Sequence, residues 1–477
     1  MPAPGLLRSL LADTTPLEYP HFRRLWTANI VTVIGAQLNI IVVPLQIYAI
    51  TGSSAYVGLA GAFGLVPLII FGLYGGALSD RMDRTKLLRI TTVGMIATAV
   101  AFWAQAASGL GNVWLLLSVF AVQQAFFAVN QPTRTAVIAR IVPLGKIGPA
   151  TSLNMTVTQA GAILGPILGG LLVPVTGFAW LYLIDAVCLL SPLWAVLRLP
   201  PLPPTDAVSA GRVTGAGKGA GKGAGKDAGE DAEKDTATHR GGFRSVLDGF
   251  VYLGAMPLLL MSFLVDIIAM TFGMPRALIP EISTVDFGES GEGGLFYALL
   301  MAAMPAGAVL GGVFSGAVTR ARRQGLGIVV SVIFWGAAIV VMGLAVTFAD
   351  GRAGVWAWVA VLSFLVGGTA DMFSSVQRNA MLQEAADDRM RGRLQGVFLI
   401  VVAGGPRLAD MLHGWTGSWI GAGPATAVGG VLVIVGVLVA VAFVPAFLRY
   451  VPARFGVVDD TAVDGTTGGR TTDSERN

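Results

Sequence analysis

Six ionisable side chains interrupt stretches that are otherwise apolar: Asp185, Asp266, Arg276, Asp371, Arg407 and Asp410. A charge at the centre of a membrane span costs about 2.5–3.5 kcal/mol on insertion scales, so each such residue marks a proton relay, a substrate site or a paired charge. Asp266 or Asp371 is read as the carboxylate that exchanges a driving proton, and Arg276 or Arg407 as the group that attracts an anionic substrate. Asp266 and Arg276 stand ten residues apart, about 15 Å along a helix, and cannot pair directly. Arg407 and Asp410 stand three apart and share a helix face, either as a self-neutralising pair or as part of a site.

The elements that position these residues are helices in a bilayer. The chain has 477 residues, 54% of them hydrophobic and 13% charged, against a charged fraction of about 25% in soluble domains, and its mean hydropathy is +0.71. Apolar runs of about 20 residues satisfy their own backbone hydrogen bonds in lipid. Twelve are expected, at 26–50, 55–78, 87–107, 112–138, 150–173, 178–197, 257–279, 293–317, 325–348, 354–377, 394–412 and 424–448. The fold class is therefore all-α, with twelve membrane helices in two pseudo-symmetric six-helix bundles. The expected domains are 1–198, a disordered cytoplasmic linker at 199–242, a second bundle at 243–450 and a disordered tail at 451–477. The linker, with its run G-A-G-K-G-A-G-K-G-A-G-K, is too polar and glycine-rich to bury apolar surface. Its Gly-Lys pairs lack both the leading glycine and the following Ser or Thr of a phosphate-binding loop, which excludes nucleotide binding there.

Lysine and arginine beside a span stay preferentially in the cytoplasm. With the amino terminus inside, all of the 32 lysines and arginines except Arg276, Arg352 and Arg407 fall on the cytoplasmic side. Both termini are expected to be cytoplasmic in a multi-pass protein of the plasma membrane. The net charge of +4 follows from this asymmetry and matches lipid headgroups rather than nucleic acid. The amino-terminal residues lack the apolar core and cleavage site of a removable signal peptide. The lone Cys188 excludes an intrachain disulfide framework. His21, His239 and His413 have no metal-ligand spacing, and neither metal nor cofactor is expected.

Between the second and third spans stands G-A-L-S-D-R-M-D-R (76–84), and a degraded copy, G-A-V-T-R-A-R-R, begins 240 residues later at Gly316. Arg134-Thr135-Ala136-Val137 matches Arg378-Asn379-Ala380-Met381 at an offset of 244. Two matches at nearly one spacing mark an internal repeat, and repeats in transporters place the substrate between them near the bilayer midplane. In the fifth span, G-A-I-L-G-P-I-L-G-G (161–170) puts Gly161, Gly165 and Gly169 on one face as a flat groove for a facing helix. Pro166 in that run removes a backbone hydrogen bond and permits a bend. Trp103, Phe126, Phe127, Met270, Met274 and Phe373 either line a cavity or pack against helices and lipid.

These residues resemble the major facilitator superfamily, and more closely its branch of bacterial enterobactin exporters, over roughly 20–450. Gly76, Leu78, Asp80, Arg81, Arg84 and, one place late, Lys86 resemble the family's G-x-L-x-D-R-x-x-R-[RK] loop, from which Thr85 departs. The resemblance implies a gating latch of Gly76, Asp80, Arg81 and Arg84, with Asp80 reaching the positive end of a helix in the opposite half. Gly161, Gly165, Pro166, Gly169 and Gly170 resemble the element of export members, although Ser152 stands where the pattern has an earlier glycine. Relatives that export drugs carry an arginine in span four, whereas this chain reads Ala121-Val122-Gln123-Gln124-Ala125. The implied function is proton-coupled export, by alternating access, of a siderophore or similar small molecule, by a monomer in contact with protons and membrane lipid. A multidrug efflux antiporter and an uptake symporter are the alternatives. A membrane-embedded enzyme is disfavoured because no nucleophile, base or metal-ligand cluster appears.

Overall fold

The computed structural model describes residues 13–202, 253–254, 256–318, 323–385 and 391–450. Most of the expected linker and the expected tail lie outside the described residues, as do the side chains of Gly76, Asp80 and Arg81. Among the described residues there is no strand. The helices are α1 (Pro20–Thr51), α2 (Ser54–Arg81), α3 (Arg84–Ala107), α4 (Val113–Ile141), α5 (Ile147–Cys188), α6 (Leu190–Leu197), α7 (Pro257–Phe272), α8 (Leu295–Val318), α9 (Gln324–Thr347), α10 (Val355–Ala385), α11 (Arg391–Ile420) and α12 (Ala422–Phe443). Among the described residues, ten stretches are long and apolar enough to cross a membrane, one of them the 51-residue Ile147–Leu197. That length is enough for two crossings at about 20 residues each. Gly177 divides it, holding φ 76° and ψ 168°, a conformation open only to a residue without Cβ. The arm of α5 after Gly177 and α6 together occupy the expected sixth span, and the 30-residue α11 lies where the eleventh is expected.

Local chemistry sets several ends. Pro20 opens α1, where its missing N–H is not needed. The Asp83 carboxylate accepts from the amides of Thr85 and Lys86 and caps α3, and the Asn112 side chain caps α4 through Trp114 and Leu115. The Glu289 carboxylate accepts from the amides of Phe296 and Tyr297 at the head of α8. One expected boundary is corrected: the seventh span, drawn as continuous to residue 279, stops at Phe272. Gly273 ends it and Pro275 cannot continue it, so the chain proceeds through a tight turn at Arg276–Leu278 and short turns to Asp286.

Helix packing repeats between the halves. In the first, α1 packs on α5, α2 on α4, and α3 on both α4 and α5; in the second, α7 packs on α11, α8 on α10, and α9 on both α10 and α12. The α3–α5 contact uses the arm after Gly177, through Ala99 with Ala186 and a stack of Phe102 on Tyr182 at 5.1 Å. Two seams join the halves, α2 with α11 and α5 with α8. The internal repeat converts each seam into the other.

Both seams lie toward the helix ends away from the linker, and both are built on glycine. A Cβ on Gly58 would stand 3.0 Å from the Gly414 Cα, and one on Gly170 would stand 2.6 Å from the Ala298 Cβ. Backbones this close gain dispersion contact that larger residues would forbid. The Tyr297 hydroxyl donates to the Ile41 carbonyl at 2.7 Å and the Ser54 hydroxyl to the Gly414 carbonyl at 3.2 Å, stitching the halves further. Further along α2, a Cβ on Gly72 would meet nothing within 4 Å. We expect Gly414→Val to cost about 1–3 kcal/mol by overpacking and Gly72→Val much less. Thermal unfolding of the purified variants in detergent measures the difference, and equal losses would contradict the seam.

Candidate functional site

A cavity of about 170 Å³ lies between the halves, and four ionisable side chains line it: Asp185 from the first half, and Arg276, Arg407 and Asp410 from the second. Asn39, Gln123 and Gln124 add amides, while Met95, Phe120, Phe127 and aliphatic residues of α1 and α2 make the rest of the wall largely apolar.

Arg276 reaches the cavity because α7 breaks just before it. The Gly273 carbonyl, left free by the break, accepts from the Trp335 indole N–H at 3.1 Å, which fixes where the turn begins. From that turn the Arg276 Nη2 donates to Asp410 Oδ2 at 2.7 Å, with 35% and 12% of the two side chains exposed. Of the two alternatives left open for Arg407 and Asp410, the ion pair at Asp410 is not the i,i+3 one. Asp410 pairs with Arg276 and not with its helix neighbour Arg407, because the broken span places a guanidinium nearer than a continuous helix would.

Arg407 extends the other way, across the interface. Its Nη2 donates to Gln124 Oε1 on α4 at 3.1 Å, and its guanidinium carbon lies 5.6 Å from the centre of the Phe120 ring. Glycine makes the passage: a Cβ on Gly64 of α2 would collide with the guanidinium, and one on Gly61 with the Arg407 carbonyl. The span-four segment that lacks an arginine in the sequence is thus where an arginine arrives from α11. Gln124 and Asn39 were not among the candidate site residues, and their only sequence signal was an amide within an apolar run.

Asp185, on the α5 arm beyond Gly177, is 2% exposed. Its Oδ2 accepts from Asn39 Nδ2 at 2.5 Å.

Asp266 and Asp371 do not line the cavity. Both are held by Arg378 of α10, whose Nη1 lies 2.7 Å from Asp266 and whose Nη2 lies 3.8 Å from Asp371, all three side chains being at most 14% exposed. Sequence reading had not marked Arg378 as a site residue, since it sits just past the expected end of span ten. Its signal was the match with Arg134. In the first half, Arg134 donates to the Leu25 carbonyl of α1 at 3.1 Å, so each repeat sends this arginine to its own first helix.

The glycine run of α5 is divided between two neighbours. Gly161, Gly165 and Gly169 face Val33, Gln37 and Ile41 of α1, while Gly170 faces Ala298 of α8 across the seam. Pro166 is buried within the helix. In the 76–84 loop, Arg84 opens α3 directly after the Asp83 cap. His413, 2% exposed, sits three residues after Asp410 with its Nε2 3.0 Å from the Phe272 carbonyl.

Removing one partner of a buried ion pair strands the other charge, at a cost of about 3–5 kcal/mol. We expect Arg378→Gln to approach that cost, and Asp410→Asn to cost less because Arg276 is partly exposed. Adding Asp266→Asn to Arg378→Gln should restore part of the loss. Thermal unfolding midpoints give the order, and an Asp410→Asn protein less stable than Arg378→Gln would refute it.

A family model for the Major Facilitator Superfamily matches residues 25–409. The chain is 24% identical over 434 residues to the enterobactin exporter EntS of Shigella boydii serotype 18, covering 88% of this chain and 91% of that protein. The same figures hold for the enterobactin exporter EntS of Citrobacter koseri. Among solved structures, a POT family transporter in complex with 5-aminolevulinic acid aligns at a TM-score of 0.66 and 14% identity, over 89% of this chain and 96% of that one. A bacterial homolog of the human lysosomal transporter Spinster, in an inward-facing and unoccupied conformation, aligns at a TM-score of 0.64 and 16% identity, over 92% and 98%. With a family model spanning most of its length and a fold shared with these transporters, the chain belongs to the Major Facilitator Superfamily and is a multi-pass membrane transporter rather than an enzyme.

Proposed function

We propose that this transporter is a secondary active exporter that works by alternating access and carries an organic anion of the siderophore type, with protons as the coupling ion. One observation supports the anion above the others. Of the two guanidinium groups on the cavity, Arg276 is neutralised by Asp410, whereas among the described residues Arg407 forms no salt bridge and donates to the neutral Gln124. A cation held by neutral groups in a largely apolar wall offers strong, charge-assisted hydrogen bonds to a carboxylate or phenolate. The names of the enterobactin exporter relatives support the siderophore class, and the glycine run 161–170 supports export.

In this reading the bundles are 1–198 and 243–450, the linker side is cytoplasmic, both termini lie there, and the protein acts as a monomer in the cell membrane. The 76–84 loop serves as the inner latch through Asp80. The Asp266–Arg378–Asp371 cluster is one place where a coupling proton can reside, since two carboxylates share a single cation. A second reading, export of assorted amphipathic drugs, is favoured by the apolar wall with Phe120 and Phe127.

The test is a comparison of secreted metabolites with and without the gene under iron limitation. We expect a phenolate or carboxylate chelator to accumulate inside the deletion strain. Complementation by Arg407→Gln should restore less than a tenth of wild-type export, and Arg407→Lys should restore more. An unchanged secretion profile together with resistance to cationic drugs would favour the second reading. Asp80→Asn should shift the balance between outward- and inward-open states, read as inter-spin distances across the linker side.

A further inference from the structure

The cavity contains one carboxylate that no cation neutralises. Asp185 is 2% exposed and takes part in no salt bridge among the described residues. The nearest atoms of α1 are not charged. Asn39 donates to it, and a Cβ on Gly35 would stand 2.5 Å from its Oδ1, so the helix runs close without supplying a charge. An ionised carboxylate with a single amide donor in this setting lacks most of the hydrogen bonds that water would give it. Asn39 suits the protonated form as well. Its own Oδ1 is buried without a partner, and because an amide carries both donors and an acceptor, turning it over lets it accept from a carboxylic acid. An arginine partner would fix one charge state, whereas an asparagine accommodates both.

We propose that Asp185 is the proton-binding site of the cavity and that its proton admits the anion. Arg276 and Asp410 cancel each other, so the cavity's net charge depends on Arg407 and Asp185. With Asp185 ionised the four groups sum to zero, and with it protonated the charge on Arg407 is uncompensated. The proton passes from hydronium to an Asp185 carboxylate oxygen, giving a neutral acid and water, and returns to water by the reverse step. Anion and proton therefore load together at this cavity, while the proton exchanged to drive export is a separate one, at the Asp266–Arg378–Asp371 cluster. A multiply charged anion still leaves with net negative charge, which an inside-negative potential drives outward by about 2.3 kcal/mol per charge per 100 mV. This assignment rests on the anion reading of the same cavity.

Other titratable groups face the site. On its own arm are Tyr182, which donates to Gln46, and Cys188. Unperturbed Tyr and Cys titrate near about 10 and about 8.5, above the range that matters here. The neighbouring α3 presents Met95 to the cavity and Phe102 to Tyr182, neither of them ionisable. Across the cavity stand Arg276, Arg407 and Asp410, with His413 behind Asp410.

The experiment measures binding of salicylate, which remains an anion throughout, to the purified full-length protein in nanodiscs between pH 5 and 8. Wild-type affinity should fall as pH rises, by up to tenfold per unit where Asp185 loses its proton, as expected for one proton taken up per anion. Asp185→Asn, whose amide mimics the neutral acid, should bind at pH 8 about as well as wild type does at pH 5, with no slope. Arg407→Gln should lose binding at every pH. A slope retained in Asp185→Asn, as His413 would produce, overturns the assignment while leaving the anion reading intact. A folded Asp185→Asn protein that binds at no pH overturns it as well. No binding by wild type at any pH, or undiminished binding by Arg407→Gln, overturns the anion reading itself.

Discussion

Bringing a guanidinium into an apolar interior without a carboxylate to receive it is the constraint around which this interface is arranged. Desolvation of an unpaired charge is expensive, and only a dense set of dipoles or a ligand offsets it. Arg407 meets that requirement by leaving its own half. To do so it needs a corridor through α2, and Gly61 and Gly64 provide it by having no side chains. It then needs an acceptor and a polarisable face, which Gln124 and Phe120 provide from α4. A larger residue on α2 would block the corridor, and an apolar one at 124 would strand the charge.

The seams serve the same interface at a larger scale. Small residues let α2 lie on α11 and α5 on α8 at backbone distance, and such contacts hold by dispersion without committing a deep interlocked core. Because the repeat relates the two seams, the rocking motion proposed above would open or close them together. Each half also has contacts of its own that do not cross the interface. Arg378 ties α10 to α7 in the second half, and Arg134 ties α4 to α1 in the first. The cross-interface bonds from Tyr297 and Ser54 to backbone carbonyls are neutral, so breaking these two exposes no charge, unlike the bond from Arg407 to Gln124.

Much of this architecture was legible in the sequence because it rests on local rules. Apolar length gave the spans, and the paired loops and arginines gave the repeat. The one misdrawn span shows where such rules stop. Residues 257–279 read as continuous by hydropathy, yet Gly273 and Pro275 end the helix, and only that break brings Arg276 to Asp410. The i,i+3 spacing of Arg407 and Asp410 permits a pair but does not select it, since a partner on another helix competes and no sequence spacing encodes its distance. Arg378 was hidden for a related reason: a cation near a span's end reads as an orientation charge until the fold shows a carboxylate beside it. Asn39 and Gln124 carry no charge, so nothing in a single sequence distinguishes them from amides that merely pack.

The charges are divided unequally, and that division bears on how a ligand could change the state of the transporter. Both guanidiniums on the cavity belong to the second half, while the first contributes amides and one carboxylate. Arg276 and Asp410 lie within the same half and travel together, so their pairing is insensitive to rocking. The Arg407–Gln124 bond crosses the interface and is strained or lost when the halves separate on that side. A ligand shifts a conformational equilibrium only through a difference in its affinity for the two states. An anion on Arg407 has such a difference available: it stabilises the cation in whichever state has lost Gln124, where an empty cavity would leave the charge without a partner. On the anion reading proposed above, a substrate on Arg407 would make the Arg407–Gln124 bond dispensable, which would couple occupancy to movement at the cavity itself.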